Sequence, residues 1–369
     1  MLKIVTIVGA RPQFIKAAPL SNLVRQKHSE ILVHTGQHYD KNMSELFFSE
    51  LNIPFPDYNL AVGSSSHGMQ TGRMLEKIEN ILLKEKPDGM IVYGDTNSTL
   101  AGALAASKLH IPVFHVEAGL RSYNKLMPEE QNRVLTDHLS TLLLCPTRTA
   151  VNNLVKEGIT EGVYFTGDIM YDAVLRFFKL SEQRYGSGVW LREIANSSNY
   201  NNLKLSENNY YLATIHRAEN TDNKDRLQEI FEAFGELDKP VLVPMHPRTR
   251  HVIGDSISSL ASNIIVIEPV GYLLMLYLTA NSYMVLTDSG GLQKEAYFLK
   301  TPCTTLRDET EWVETLKNGW NVLSAVDSSN IIRNATRSLS CLQHDQRMEF
   351  GDGSAAEAII EKIEKRLGA

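Results

Sequence analysis

Three carboxylates lie close together in the segment "HVEAGLRSYNKLMPEEQNR", residues 115–133. Glu117 follows an apolar run, and Glu129 and Glu130 begin a stretch with helical spacing. Carboxyl groups can act as general acids and bases on a carbon-bound proton when their surroundings shift their pKa toward the working pH. The segment is therefore either an ordinary solvated connection or a site of proton transfer.

A further acid follows the preceding apolar run, in "VYGDTNST". Asp95 is placed there at the carboxyl end of a strand, directly before a predicted helix. Neighbouring parallel strands lie about 4.8 Å apart, so Asp95 and Glu117 are expected to share one pocket. The alternative is that Asp95 is only the N-cap of that helix.

The remaining charged residues of the segment 115–133 divide into two groups. Glu129 is expected to reach the same pocket from the first turn of a helix, where the helix dipole favours a negative charge. Glu130, its neighbour, points elsewhere on that helix and is interpreted as structural. Arg121 and Arg133 are candidates to hold the loop and its charges in place.

Two strand ends carry cations that suit an anionic ligand. The first strand ends in "GARPQFIK", where Arg11 and Lys16 begin a helix whose N-terminus also favours an anion. The stretch "TIHRAEN" places His216 beside Arg217, and a histidine there can bind a phosphate or transfer a proton. A solvated helix start and a purely structural histidine are the alternatives.

The stretch "LTDSGGLQKEA" is more specific. A strand is predicted to end at Ser289, Gly290 and Gly291 expose backbone N–H groups, and a helix follows at once. That arrangement is typical of a diphosphate site without a P-loop lysine. Glu295, one turn further on, can accept hydrogen bonds from a ribose diol. No GxGxxG motif follows the first strand, which disfavours a nicotinamide cofactor.

These residues require a scaffold of alternating strands and helices. Short β-branched runs alternate with helical segments twice along the chain, which predicts an α/β fold of two doubly wound parallel sheets with a ligand cleft between the domains. We expect an N-terminal domain at 1–169 and a C-terminal domain at 170–354. The Asn- and Ser-rich stretch 191–211 is interpreted as a surface excursion, and the closing helix 355–369 can pack on either domain.

Composition limits the function classes. The 43% hydrophobic and 22% charged fractions are ordinary for a globular protein, and no apolar run of about 18 residues predicts a membrane span. A net charge of −6 gives no basic field for nucleic acid. Three separated cysteines without a CxxC pair predict neither disulfides nor a zinc site. The N-terminus has no secretory signal, so we expect a cytoplasmic protein.

Seven motifs follow one another along the chain: "GARPQFIKAAP", "GDTNSTLAGALAA", "HVEAGLRS", "PEEQNR", "TIHRAEN", "LTDSGGLQKEA" and "LRDETEW". In order and spacing they resemble the non-hydrolysing UDP-N-acetylglucosamine 2-epimerases over essentially the whole chain. The resemblance implies the GT-B architecture, with two Rossmann-like domains and the active site in the cleft between them. It also implies a homodimer, a final helix that returns to the N-terminal domain, and a reaction without metal or cofactor.

The resemblance further implies C2 inversion of a UDP-2-acetamido sugar by elimination and re-addition of UDP through a glycal-like intermediate. Such chemistry needs carboxyl groups that exchange protons with the sugar and fixed positive charge on the departing diphosphate. The residues that match the acid/base set are Asp95, Glu117 and Glu129, with His216 on the phosphate or leaving-group side. The residues that match the UDP-sugar contacts are Arg11, Lys16, Ser289, Gly290, Gly291 and Glu295.

Departures from the family pattern concern the substrate. Where members acting on UDP-N-acetylglucosamine commonly have GTRPE and TERPE, this chain has Gln13 and Trp312, and Val270 and Met275 replace an expected Gln and Phe. The patterns "GARPQFIK" and "ETEWVE" resemble the branch that acts on UDP-2,3-diacetamido-2,3-dideoxy-glucuronate for surface polysaccharide such as O-antigen or capsule. Losing an acid suits a sugar that itself carries a carboxylate, whereas losing the arginine does not.

Three alternatives remain open on the sequence alone. A UDP-N-acetylglucosamine 2-epimerase differs only in the sugar. A GT-B glycosyltransferase shares the fold but does not need to exchange the C2 proton. A nucleotide-sugar sensor would keep the "DSGG" loop and tolerate loss of the carboxylates, all three of which are present here.

Overall fold

A computed structural model of the protein describes residues 1–37, 48, 50–51, 53–197, 205–340, 342 and 349–369. Part of the predicted excursion 191–211 lies outside these ranges. The chain folds into two compact units, residues 1–173 with 347–369 and residues 174–346. Among the described residues, no helix has both the length and the apolar character that crossing a bilayer requires.

The first unit is built on a seven-stranded parallel sheet in the order β3-β2-β1-β4-β5-β6-β7. Its strands are β1 (Lys3–Val8), β2 (Ser29–His34), β3 (Tyr58–Asn59), β4 (Gly89–Tyr93), β5 (Val113–Val116), β6 (Leu142–Cys145) and β7 (Val163–Phe165). Its helices are α1 (Arg11–Lys27), α2 (His67–Glu85), α3 (Asn97–Lys108), α4 (Pro128–Leu139), α5 (Arg148–Lys156) and the start of α6 (Ile169–Tyr185).

The second unit contains a six-stranded parallel sheet in the order β10-β9-β8-β11-β12-β13. Its strands are β8 (Tyr211–Thr214), β9 (Val241–Pro244), β10 (Ile264–Ile267), β11 (Met284–Thr287), β12 (Cys303–Thr305) and β13 (Asn321–Leu323). Its helices are α7 (Val189–Ser197), α8 (Ala218–Thr221), α9 (Lys224–Gly235), α10 (Pro247–Ile253), α11 (Tyr272–Ala280), α12 (Gly290–Phe298) and α13 (Ser328–Ala335), with 3-10 segments at Gly254–Ser259 and Val313–Gly319.

Both sheets have strands that are apolar on both faces, as parallel sheets covered by helices require. In the first unit, Val5, Ile7 and Val92 pack in one buried cluster with Met74 and Ile78 of α2. This packing fixes the strands, so the residues directly after each strand emerge together at one edge of the sheet.

The closing helix α14 (Ala355–Leu367) packs on the first unit. Glu364 accepts hydrogen bonds from Lys27 at 3.2 Å and lies 3.0 Å from the His28 ring nitrogen Nε2. At the other end, the buried Asp172 carboxylate accepts the first two backbone N–H groups of α14, at 3.1 and 2.7 Å. Burial raises the pKa of Asp172 to about 6.

Candidate active site

The acids predicted to share a pocket come directly after two neighbouring strands. Tyr93 of β4 pairs with Val116 of β5, and the Gly94 backbone N–H donates to the Val116 carbonyl at 2.9 Å. Asp95 and Glu117 follow, and the negative charge of Glu117 is one of the causes that raise the pKa of Asp95. The structure therefore brings these two carboxylates within electrostatic reach of each other.

Glu117 is held in an unusual backbone conformation. Its φ is +71°, in the left-handed region that costs a residue with a side chain about 1–3 kcal/mol. The side chain is buried and forms an ion pair with the Lys16 ammonium of α1. A Cβ at Gly94 would lie 3.1 Å from the Glu117 oxygen Oε2 and 3.6 Å from Lys16 Nζ, so the glycine leaves room for this pair.

Asp95 has a different cation. The Arg133 guanidinium pairs with the Asp95 carboxylate and, through Nη1, with Glu130 at 3.0 Å. Burial is the largest cause that raises the pKa of Asp95, Arg133 opposes it, and Glu117 adds to the rise. The Asp95 side chain remains 30% exposed, so a ligand can reach it.

The N-cap alternative for Asp95 is wrong. Thr96 is the N-cap of α3, and its hydroxyl accepts the Thr99 backbone N–H at 3.3 Å. The Asp95 backbone is fixed instead by Asn132, whose amide donates to the Asp95 carbonyl at 3.0 Å. The Asp95 carboxylate is thereby left to interact with Arg133 and the pocket.

The other two acids of the segment 115–133 differ in their contacts. Glu130 accepts the backbone N–H groups of Ser122 and Tyr123 at 2.8 and 2.9 Å, which makes it a loop anchor. Glu129 is half-buried in the first turn of α4, and its carboxylate has no hydrogen bond to any other described residue. Its place in the pocket therefore stays a prediction, as does that of Arg11, which is exposed at the start of α1.

Gln13, one of the departures from the family pattern, is held within the fold by its hydrogen bonds. It is 2% exposed, and its oxygen accepts the backbone N–H groups of Gly9 and Ala10 at 2.8 and 3.0 Å. Its amide group donates to the Tyr93 carbonyl at 2.7 Å and to the Thr99 hydroxyl at 2.9 Å. The side chain therefore ties the loop after β1 to the end of β4.

In the second unit the predicted anion site is organised by Asp288, a residue that the sequence reasoning did not single out. This fully buried carboxylate accepts the backbone N–H groups of His216 and Arg217 at 3.1 and 3.0 Å. It also lies 3.2 Å from the His216 ring nitrogen Nδ1. The carboxylate thus fixes the orientation of the imidazole and leaves the ring 38% exposed.

The loop after β11 forms the start of α12. The strand ends at Thr287, two residues earlier than predicted, and Ser289 is the N-cap, accepting the Leu292 N–H at 3.3 Å. A Cβ on Gly290 would lie 2.3 Å from Glu311 and 3.6 Å from Arg217, so a larger residue would require the Glu311 carboxylate to move. Gly291 follows in the first turn of α12, and Glu295 lies buried one turn further on.

Trp312 lies next to a cation. The Lys294 ammonium of α12 is 3.7 Å from the centre of the Trp312 ring, a cation–π contact in which both residues are buried. Nearby, Glu311 interacts with Arg307 at 3.0 Å and with Arg217 at 3.6 Å. Lys294 was not among our predicted site residues, because a lysine within a helix gives no sign of what it stacks on.

Known proteins resemble this chain over its full length. The family model described as UDP-N-acetylglucosamine 2-epimerase matches residues 22–364. The chain belongs to this family. The protein is a non-hydrolysing UDP-sugar 2-epimerase, an isomerase, with a GT-B-like fold of two parallel Rossmann-like sheets.

Two relatives of this epimerase differ in the substrate they name. A "UDP-N-acetylglucosamine 2-epimerase homolog" of Methanococcus maripaludis is 52% identical over 98% of this chain and 99% of its own. The "UDP-2,3-diacetamido-2,3-dideoxy-D-glucuronate 2-epimerase" of Pseudomonas aeruginosa is 50% identical over 99% of this chain and 100% of its own. A solved structure of the Methanocaldococcus jannaschii UDP-GlcNAc 2-epimerase with UDP-GlcNAc and UDP is 43% identical, with a TM-score of 0.85 over 99% of this chain and 100% of that one.

Proposed function

We propose that this epimerase converts UDP-2,3-diacetamido-2,3-dideoxy-D-glucuronate to the corresponding mannuronate, a precursor of surface polysaccharide. The full-length similarity to the relative of that name and the pattern "ETEWVE" support the proposal. The observation that carries it is the Lys294–Trp312 contact. It places a positive charge beside the residue that replaces the family's arginine, and a charge acts over a distance even when its side chain is buried. The loss of that arginine therefore leaves a cation in this region.

For the reaction we propose elimination of UDP followed by its return. A base removes the C2 proton, the C2 electron pair forms the C1–C2 double bond, and UDP leaves from C1. A proton is then delivered to the opposite face of C2 as UDP adds back to C1. Atoms and charge balance within one substrate, with water needed only to exchange protons.

The two carboxylates of the first unit suit different roles in this reaction. Glu117, ion-paired with Lys16, carries the negative charge that proton abstraction needs. Asp95, whose pKa is raised chiefly by burial, is suited to deliver a proton to the other face. Reversal of the reaction exchanges these roles. Glu129 is assigned to the same set from the family pattern.

The second unit offers groups suited to the leaving diphosphate. Backbone N–H groups at the start of α12, at Gly290 and Gly291, provide fixed dipoles for an anion. His216, oriented by Asp288, is suited to hydrogen-bond a phosphate oxygen as charge develops on it. Arg11, Lys16, Ser289 and Glu295 complete the proposed UDP-sugar contacts.

The elimination mechanism is tested in deuterium oxide. With the correct UDP-sugar, we expect deuterium at C2 of both epimers and slow release of UDP and the glycal, followed by NMR. A reaction without incorporation at C2 would contradict the mechanism, because every turnover passes a proton through an exchangeable group.

The substrate is tested by comparing kcat/KM for UDP-N-acetylglucosamine and the 2,3-diacetamido uronate under identical conditions. We expect preference for the uronate. Preference for UDP-N-acetylglucosamine would establish the alternative, which the 52% identical homolog supports.

We also infer a homodimer from the family resemblance. Light scattering coupled to gel filtration is expected to give twice the chain mass of 41.4 kDa. A mass equal to the single chain would contradict this inference.

A further inference from the structure

Behind the acid site, a buried chain of charged groups links the ends of β4 and β5. His115 of β5 is fully buried, and its ring nitrogen Nδ1 lies 2.7 Å from Asp137 Oδ1 on α4. Its other nitrogen, Nε2, lies 2.7 Å from the carbonyl oxygen of Gly94. Both distances are those of hydrogen bonds, so the proton positions can be worked out from what each partner is able to donate.

The Gly94 carbonyl only accepts, so Nε2 must carry a hydrogen. The second carboxylate oxygen of Asp137 already accepts the Arg121 guanidinium at 2.7 Å and the Gly119 backbone N–H at 3.2 Å. An ionised Asp137 also only accepts, so Nδ1 must carry a hydrogen as well. If the proton between the two residues were instead on Asp137 Oδ1, the pair would hold as many protons as a doubly protonated His115 beside an ionised Asp137.

The surrounding charges are compatible with this extra proton. Arg121 forms a two-point ion pair with Glu157, with both distances 2.7 Å. His115 and Arg121 interacting with Asp137 lower the pKa of that carboxyl, against the effect of its burial. The thiol of Cys145 on β6 also faces this cluster, and burial raises its pKa, so it stays neutral. With the extra proton, the cluster would contain two cations and two anions.

This cluster fixes the backbone on both sides of the acids. The His115 ring binds the carbonyl of the residue before Asp95, and Asp137 binds the N–H group of Gly119, two residues after Glu117. Glu117 lies between these anchors in its left-handed conformation. We propose that the His115–Asp137 pair holds one more proton than a neutral histidine and an ionised carboxylate would hold together. This buried pair is also the element that positions Asp95 and Glu117.

The protonation part of the proposal is tested without substrate, so its outcome is independent of the proposed function. In 15N spectra of the histidine-labelled full-length protein at pH 7.5, we expect both ring nitrogens of His115 to be protonated or a proton to be shared with Asp137. The exposed His138 serves as the reference ring within the same spectra. The 13C shift of the Asp137 carboxyl, measured in the same protein, shows whether that group is ionised. A neutral His115 ring together with an ionised Asp137 would overturn the proposal.

Asp137→Asn provides the matching variant. The asparagine can turn its oxygen to Arg121 and Gly119 and its amide to Nδ1, which then accepts. We expect His115 to become a neutral ring protonated only at Nε2, with the bond to Gly94 kept. An unchanged doubly protonated ring in this variant would show that Asp137 does not hold the proton.

The positioning part uses two histidine variants, tested with whichever of the two UDP-sugars the enzyme turns over. Asparagine at position 115 places its amide near Nδ1 and cannot reach Gly94, whereas glutamine places its amide near Nε2. We expect His115→Asn to lower kcat by about 10- to 100-fold with little change in KM, and His115→Gln to recover most of the loss. His138→Asn is the matched control.

Equal activity of wild type and His115→Asn would overturn the positioning role. Equal losses in both variants would also overturn it, because a merely structural defect does not distinguish the two amides. Should His115→Asn fail to fold, as judged by circular dichroism and thermal unfolding, His115→Gln and the Asp137→Asn spectra still decide the question. Failure of the epimerase assay in the wild type would concern the proposed function alone.

Discussion

Gln13→Glu is the most direct test of how the loop after β1 is held. The change keeps the oxygen that accepts the Gly9 and Ala10 N–H groups but replaces the amide donor by an oxygen. That oxygen would face the Tyr93 carbonyl, which the amide now contacts at 2.7 Å. Two donated hydrogen bonds are lost at a 2% exposed site, and leaving such groups unpaired costs about 1–3 kcal/mol.

The loss of stability in Gln13→Glu should depend on pH. A buried carboxyl beside a carbonyl has a raised pKa, so the protonated form, which donates to Tyr93, is the one that fits the fold. The free energy of unfolding of Gln13→Glu should therefore be close to that of the wild type near pH 4 and fall below it as the pH rises to 8. Thermal and urea unfolding at several pH values measure this difference.

Gln131→Glu is the matched control. The Gln131 amide also donates to a backbone carbonyl, that of Lys125 at 2.8 Å, but at an exposed position. We expect its effect to stay within about 0.5 kcal/mol at every pH. Equal stability of Gln13→Glu and the control at pH 8 would refute the reasoning. So would a switch in preference between the two UDP-sugars, because a side chain that points into the fold cannot select the sugar.

The other predictions concern the acids and two helix ends. Glu117→Gln and Asp95→Asn should each lower kcat at least about 100-fold while leaving UDP binding intact by calorimetry; unchanged turnover would exclude proton transfer by that residue. Asp172 has its pKa raised to about 6, so its contribution to stability is present below pH 4 and lost as the pH rises through 6. Asp172→Asn should remove this dependence, worth about 3 kcal/mol, in unfolding curves. Thr96→Ala should cost about 1 kcal/mol by loss of the α3 N-cap, and a neutral result would contradict that assignment.

The sequence predicted the two sheets and the meeting of Asp95 and Glu117 because both follow from strand order. Strands that are apolar on both faces are typical of the interior of a parallel sheet, and the residues that follow them emerge at one edge. The signal at Ser289 to Gly291 was equally local, since a serine N-cap and two glycines define the start of α12. The displaced end of β11, at Thr287, lies within the usual uncertainty of strand ends.

What the sequence could not predict was the direction in which a polar side chain points. Gln13 lies in the first turn of α1. The sequence around it does not indicate whether its amide points to solvent or, as in the structure, donates to the Tyr93 carbonyl. A usable signal did exist for His115. A polar residue in the middle of the apolar strand "VFHV" must find partners within the fold, because a buried unpaired ring nitrogen is costly. Its partner Asp137 lies on another element and needed the structure to be found.

The two acids differ in the cations that are paired with them. Two carboxylates in one pocket repel each other, so one of them tends to hold a proton unless each has its own counter-charge. Here Glu117 is paired with a lysine and Asp95 with an arginine that Glu130 also engages. Burial outweighs the opposing charges of Arg133 and Lys16, and Glu117 adds to its effect, so the pKa of Asp95 stays raised. Glu130 thus contacts the same guanidinium as Asp95 and also anchors the loop after β5 through the Ser122 and Tyr123 N–H groups.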